Sequence, residues 1–193
     1  MYEYIKGLVI EATPTFAVVD CGGIGYYINI SVNTYSRIGT EKSILLYIHQ
    51  VVREDALLLY GFYSKEERMI FRQLISVSGI GANTASVMLS SMSVNEIAGA
   101  IMTGNVNAIK SVKGIGLKTA QRVIIELKDK IAVADSVEAT GFGVSSTIKE
   151  EALAALVMLG FVKAQASKVL DKIIAGGGIT NVEELIKQAL KQL

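Results

Sequence analysis

Two short segments of this 193-residue chain are spelled almost alike: Ser78-Gly-Ile-Gly-Ala-Asn-Thr-Ala85 and Lys113-Gly-Ile-Gly-Leu-Lys-Thr-Ala120. Each places Gly-Ile-Gly at the start of a helical pattern. Glycine lets such a turn adopt positive φ, and the unpaired N–H groups of a helix N-terminus can face an anion. The chemistry this spacing supports is capture of a phosphate by the backbone amides around Gly79 and Gly81, and again around Gly114 and Gly116. Ile80 and Ile115 can bury themselves under the turns and hold those amides rigid. Asn83 and Thr84 stand where the second copy has Lys118 and Thr119. Lys118 follows Gly116 by two residues and Arg122 lies one turn further, so both can add charge near the same phosphates. An ordinary solvated helix face would carry the same two residues.

The charge distribution agrees with a phosphate ligand. The formal net charge is only +1, yet residues 1–63 carry four Lys/Arg against six Asp/Glu, and residues 64–134 carry nine against five. The basic stretch is the one that holds both glycine turns. No run of about 18 apolar residues is present, and Met1-Tyr-Glu-Tyr4 lacks the start of a signal peptide, so a cytosolic protein is expected. The single Cys21 can form neither an internal disulfide nor a zinc site and reads as a small strand-end residue.

Three segments must position these residues. In residues 1–63, apolar and β-branched runs (Ile5 to Ile10, Phe16 to Val19, Tyr26 to Ile30, Ile44 to Val52, Leu57 to Phe62) alternate with turn-forming residues. The pattern predicts a small closed barrel, with the OB-fold the leading candidate. Tyr26, Tyr27, Tyr47, Tyr60 and Tyr63 could stack on bases or pack the barrel. From Ser64 the periodicity turns helical: Ser64-Lys-Glu-Glu67 and Ser93-Val-Asn-Glu96 are capping-box spellings, and the glycine turns divide residues 64–134 into about five short helices. Residues 135–146, small and polar, read as a flexible linker. Residues 147–193 predict a three-helix module, with helices opened by Thr147-Ile-Lys-Glu150 and Thr180-Asn-Val-Glu183 and stopped near Gly160 and Gly176.

A Gly-x-Gly turn leading into a helix resembles the helix-hairpin-helix motif, which grips DNA through its phosphates without reading sequence. In order along the chain, barrel, tandem helix-hairpin-helix, linker and three-helix module resemble the bacterial RuvA family from end to end. Local spellings agree: Val51-Val-Arg-Glu-Asp-Ala-Leu-Leu-Leu-Tyr-Gly-Phe62, Lys113-Gly-Ile-Gly-Leu-Lys-Thr-Ala120 and Ala154-Ala-Leu-Val-Met-Leu-Gly-Phe161. The resemblance implies a homotetramer, or an octamer, that binds four-way Holliday junctions and recruits RuvB, a hexameric ATPase that drives branch migration. A RuvC-type junction resolvase is a further implied partner, and no cofactor is implied. Gly79, Gly81, Gly114 and Gly116 become phosphate-binding residues, joined by Asn83, Thr84, Lys113, Lys118, Thr119 and Arg122. Two positions depart from the family's usual spelling. Asn83 replaces a lysine common in the first hairpin, and Lys113 replaces the proline usual before the second Gly-x-Gly.

The same resemblance makes Glu54 and Asp55 an acidic pin at the tetramer's centre, where their charge would repel phosphates, hold the junction open and steer separated strands. Arg53 beside them either anchors the loop or meets a phosphate. Leu156, Leu159 and Phe161 match apolar positions with which the family contacts its motor, and burial in a three-helix core is the competing reading.

Enzymatic alternatives fit less well. Some helix-hairpin-helix DNA glycosylases attack through a hairpin lysine, a role Lys118 could match with Asp135 downstream. That aspartate falls in the expected linker without a preceding Gly-Pro, and no cysteine cluster could hold an iron–sulfur centre. Gly114-Ile-Gly-Leu-Lys-Thr119 lacks the Gly-Lys-Thr succession of a phosphate loop because Leu117 intervenes. His49, the sole histidine, lies in an apolar strand and reads as a packing residue. A passive architectural DNA binder would have no use for the C-terminal module.

Overall fold

A computed structural model of the chain describes residues 1–139, 144–176 and 181–193. Its first part is a closed barrel of β1 (Tyr4–Ala12), β2 (Phe16–Cys21), β3 (Ile24–Ile30), β4 (Ser43–Val52) and β5 (Leu57–Phe62). The strands run in the order β1-β2-β3-β5-β4 around the barrel, and β1 pairs with β4 to close it. Only β3 and β5 are parallel. The register of β1 shifts between Val9 and Glu11, a bulge that bends the strand so that it can serve two neighbours. Alternation turns Ile5, Ala17, Val19, Ile28, Ile30, Ile44, Leu46, Ile48 and Leu59 into the core, as a period of two requires.

Between β3 and β4 lies a helix that the sequence reading left unassigned, α1 (Val32–Ile38). Ser31 caps it by accepting from the Thr34 N–H at 3.0 Å. The stretch has Thr34 where a capping box would show Glu or Gln, so its cue is weaker than those of the later helices.

Five helices follow: α2 (Lys65–Ile75), α3 (Ala82–Ser91), α4 (Val94–Met102), α5 (Val106–Lys110) and α6 (Leu117–Ala139). Ser93 and Glu96 form a complete capping box. Ser64 and Glu67 form only half of one. Ser64 accepts from the Glu67 N–H at 3.2 Å, but the Glu67 carboxylate turns to the barrel, accepting from Ser31 Oγ at 2.6 Å, Thr34 Oγ1 at 2.8 Å and the Tyr63 N–H at 3.3 Å. Asn33 Nδ2 donates to the Leu89 carbonyl at 2.6 Å and the Met92 carbonyl at 3.1 Å. Arg68 pairs with the Glu3 carboxylate and donates to the Ile48 carbonyl at 3.3 Å. Tyr60 and Phe62 of β5 belong to the apolar core of the helices. Residues Met1–Ala134 therefore form one compact unit. The boundary drawn at 63/64 marks a change of periodicity within it.

The second unit, Asp135–Leu193, contains α7 (Val144–Met158), α8 (Lys163–Ala175) and α9 (Val182–Leu190). Its core is Ala152, Leu156, Ala166, Leu170, Ile173, Leu185 and Ala189. Three details differ from the sequence reading. Of the stretch 135–146 expected to be a linker, residues 135–139 continue α6 and 144–146 begin α7, while 140–143 lie outside the described residues. Alanine, valine and glutamate without proline are compatible with helix there. Thr147 consequently sits inside α7, whose start lies at Val144. The last helix is capped by Asn181, which accepts from the Glu184 N–H at 2.8 Å; the next Asx-x-x-Glu frame, shifted by one residue, replaces the one starting at Thr180, which is outside the described residues.

Candidate nucleic-acid interface

The two glycine turns share three backbone hydrogen bonds at matched positions. In the first, the Val77 N–H donates to the Leu74 carbonyl at 3.1 Å, Ile80 to Val77 at 3.0 Å, and Ala85 to Gly81 at 3.0 Å. In the second, Val112 donates to Ile109 at 3.3 Å, Ile115 to Val112 at 3.2 Å, and Ala120 to Gly116 at 2.9 Å. Gly79 and Gly114 carry the positive φ values, 96° and 92°, which exclude most side chains there. Ile80 and Ile115 are buried beneath the turns, as are Val77 and Val112.

Gly81 and Gly116 differ from these. Neither has positive φ, and a Cβ on either would meet nothing within 4 Å. No contact among the described residues needs glycine at these positions, and the space over them is open to a ligand. Gly81 is the N-cap of α3 and supplies no side-chain cap, so first-turn N–H groups remain available to an anion.

One helix joins the turns. A Cβ on Gly79 would stand 3.6 Å from Thr119 Oγ1, so Thr119 of α6 lies against the first turn. Arg122 Nη1 donates to the Ser78 carbonyl at 3.3 Å, and its Nε lies 3.5 Å from Glu126. Lys130 Nζ reaches Ser76 Oγ at 3.5 Å. The sequence reading aimed Lys118 and Arg122 at the same phosphates; in the fold Arg122 is directed to the other turn. Lys113 and Lys118 are exposed and form no ion pair among the described residues. Thr84 is half-buried, and Asn83 is exposed, with its Oδ1 accepting from the Tyr60 hydroxyl at 2.7 Å.

The acidic loop joins β4 to β5. The Arg53 N–H donates to the Ala56 carbonyl at 2.8 Å and closes the turn, leaving Arg53, Glu54 and Asp55 exposed. Val52 and Leu57, a cross-strand pair beneath it, are also exposed, which the sequence did not reveal. Tyr60 is buried, and burial pushes its hydroxyl pKa up. Tyr27 stacks on Phe16 with centroids 4.6 Å apart. Arg68 and Lys65 lie over the Tyr47 ring, and Arg37 over Tyr63. His49 packs against Phe71 at 5.4 Å, and burial, with Arg72 and Arg68 adding to it, holds its pKa below the usual imidazole range. Cys21 Sγ donates to the Lys6 carbonyl at 3.2 Å.

In the C-terminal unit Leu156 is fully buried and belongs to the core, Phe161 is half-buried against it, and Leu159 is 61% exposed. Met158 and Val162, 89% and 63% exposed, extend that apolar corner. A run of four apolar residues, Leu156 to Leu159, cannot fit one helical face, and that was the available signal.

Among the described residues no group of His, Cys, Asp or Glu could hold a metal ion, and no single helix is long and apolar enough to cross a membrane.

Comparison with known proteins agrees along the whole chain. The family model described as the RuvA N terminal domain matches residues 1–61, that of a SAM-like helix-hairpin-helix tandem residues 71–129, and that of the RuvA C-terminal domain residues 147–193. The chain is 50% identical to a Bacteroides fragilis protein over 202 residues and 48% identical to one from Flavobacterium psychrophilum over 193, with all of each chain covered. A Porphyromonas gingivalis protein is 46% identical over 202 residues, again at full coverage. All three bear the name Holliday junction branch migration complex subunit RuvA. With its three domains matched in order and its full length covered, the chain belongs to the RuvA family.

Proposed function

We propose that this protein is the non-catalytic, DNA-binding subunit of a branch migration complex, holding four-way Holliday junctions while a partner ATPase moves them. The observation that carries this reading is the pair of turns with matched backbone hydrogen bonds and open space over Gly81 and Gly116. Two N-terminal amide clusters grip two phosphates, and Lys113, Lys118 and Thr84 flank them. Because the contacts are to the backbone of the nucleic acid, recognition follows shape and not sequence. The names of the full-length relatives support the same assignment.

A homotetramer, or an octamer of two tetramers, would multiply the paired turns and bring the Glu54 and Asp55 carboxylates together near the crossover. There they oppose phosphates and keep the strands apart. The exposed corner of Leu159, Met158 and Val162, with Phe161 beside it, recruits a RuvB-type hexameric ATPase, and ATP hydrolysis belongs to that partner. Leu156 supports this corner from the core. A RuvC-type resolvase acts on the same bound junction, and the assembly works in the cytoplasm during recombination and repair.

The test is a gel shift comparing four-way and linear DNA at several salt concentrations. The reading requires tighter binding to the junction and a steep loss of affinity as salt rises, because neutralised phosphates release counterions. Equal affinity for both DNAs, or flat salt dependence, would reject it.

A further inference from the structure

We propose that Arg122 is a positioning residue that fixes the first phosphate turn from the second, and that it does not itself ligate phosphate; this rests on the twin-turn reading above. The guanidinium is engaged at two points, donating from Nη1 to the Ser78 carbonyl and facing the Glu126 carboxylate through Nε. Its helix, α6, begins at the second turn, and its target is in the first turn, 44 residues away in sequence.

The bond acts on the part of the turn that most needs it. The Ser78–Gly79 peptide leads into a glycine at φ 96°, where rotation of the peptide plane is easier than at any other residue. In a trans peptide the carbonyl and the following N–H point to opposite sides. By holding the Ser78 oxygen on the α6 side, Arg122 sends the Gly79 N–H the other way and prevents the plane from flipping its negative end into the anion site. Thr119 against Gly79 and Lys130 at Ser76 place the same helix along the turn.

The arrangement is one-way. Val87 occupies in α3 the place that Arg122 occupies in α6, counting from the matched glycines, and a valine side chain has no donor for the second turn. The second hairpin therefore sets the first, so that the two grips keep one spacing and meet two phosphates at once.

Arg122→Ala, Lys118→Ala and the wild type are compared in junction binding across a salt series, with amide hydrogen exchange of the free proteins. Arg122 is half exposed, so its removal leaves the core intact. The expected result for Arg122→Ala is an affinity loss of about tenfold, an unchanged slope of log K against log salt, and faster exchange at Ile80 but not at Ile115, the hydrogen-bonded amides of the two turns. Lys118→Ala, in contrast, lowers the slope by about 0.9 for each phosphate contact removed. If Arg122→Ala lowers the slope as Lys118→Ala does, or leaves affinity unchanged, the positioning role is overturned while the twin-turn reading stands. A wild type whose binding ignores salt overturns both.

Discussion

The Tyr60 hydroxyl donates to Asn83 Oδ1 at 2.7 Å, and this bond ties the strand that leaves the acidic loop to the first turn of α3. Tyr60 lies in β5 with its ring in the helical core, so its hydroxyl has little access to water and depends on that acceptor. The family's usual lysine at position 83 would offer a cation to DNA and no acceptor to Tyr60. In this chain the first hairpin carries a tether to the barrel in place of that charge.

Asn83→Lys should therefore tighten DNA binding and destabilise the fold together. The added cation raises the salt slope by about 0.9 per phosphate reached, and the orphaned hydroxyl costs about 1–3 kcal/mol. Salt-titrated binding and thermal denaturation check the two halves. A variant that gains affinity without losing stability would show that the Tyr60 bond contributes nothing.

Replacing Glu54 and Asp55 by Gln and Asn should strengthen junction binding and weaken discrimination against linear duplex. Both carboxylates are exposed, and only the backbone bond from Arg53 to Ala56 closes their loop, so neutralising them removes repulsion from phosphate without removing a structural contact. Competition binding with both DNAs measures the effect. Lower affinity for the junction would mean that the pair attracts a partner group instead.

Stability should fall on mild acidification in a way traceable to His49. Its pKa in the fold is depressed, by burial first and by Arg72 and Arg68 next. The unfolded chain therefore takes up this proton at higher pH than the fold does. The contribution is complete above the ordinary imidazole value of about 6.5 and is lost as pH drops through it toward the folded value. Glu3, held below the carboxylate range by its bond to Arg68, adds a loss of the same sign further into acid. Thermal melts from about pH 7.5 to 5.5 should show a smaller drop for His49→Phe than for the wild type. Equal drops would contradict the assignment.

In the C-terminal unit, Leu156→Ala and Leu159→Ser should separate stability from partner binding. Leu156 is enclosed by the three helices, and its truncation costs about 2–5 kcal/mol, enough to unfold a small module. Leu159 is largely exposed, so its replacement by serine leaves the melting temperature nearly unchanged and abolishes stimulation of a RuvB-type motor. Normal stimulation by Leu159→Ser would move the contact elsewhere.

What the sequence disclosed was what local chemistry determines. Alternation marks all five strands, the Ser93–Glu96 box opens α4, and the doubled Gly-Ile-Gly marks both turns. Long-range choices were not legible. Ser64-Lys-Glu-Glu67 has the same spelling as the box at Ser93, yet Glu67 turns away because Ser31 and Thr34, more than 30 residues back, offer it two hydroxyls. Arg122 reads from the sequence as a residue beside the second turn, and nothing local marks the Ser78 carbonyl of the first turn as its partner. Leu156 and Leu159 are alike in composition, and only the packing of α8 and α9 decides which of them is enclosed. The helix α1 escaped because its cap lacks the reciprocal acid.

The most direct measurement of the central claim is junction binding by the double variant Gly81→Ala, Gly116→Ala, with its melting temperature recorded alongside. Both positions have ordinary backbone angles and room for a methyl group, so the variant should fold as the wild type does. Each methyl occupies the space where a phosphate approaches the amides, and losing two charged hydrogen-bonded contacts should weaken binding by about a hundredfold or more. A folded double variant that binds the four-way junction as tightly as the wild type would contradict the claim that these turns hold the DNA.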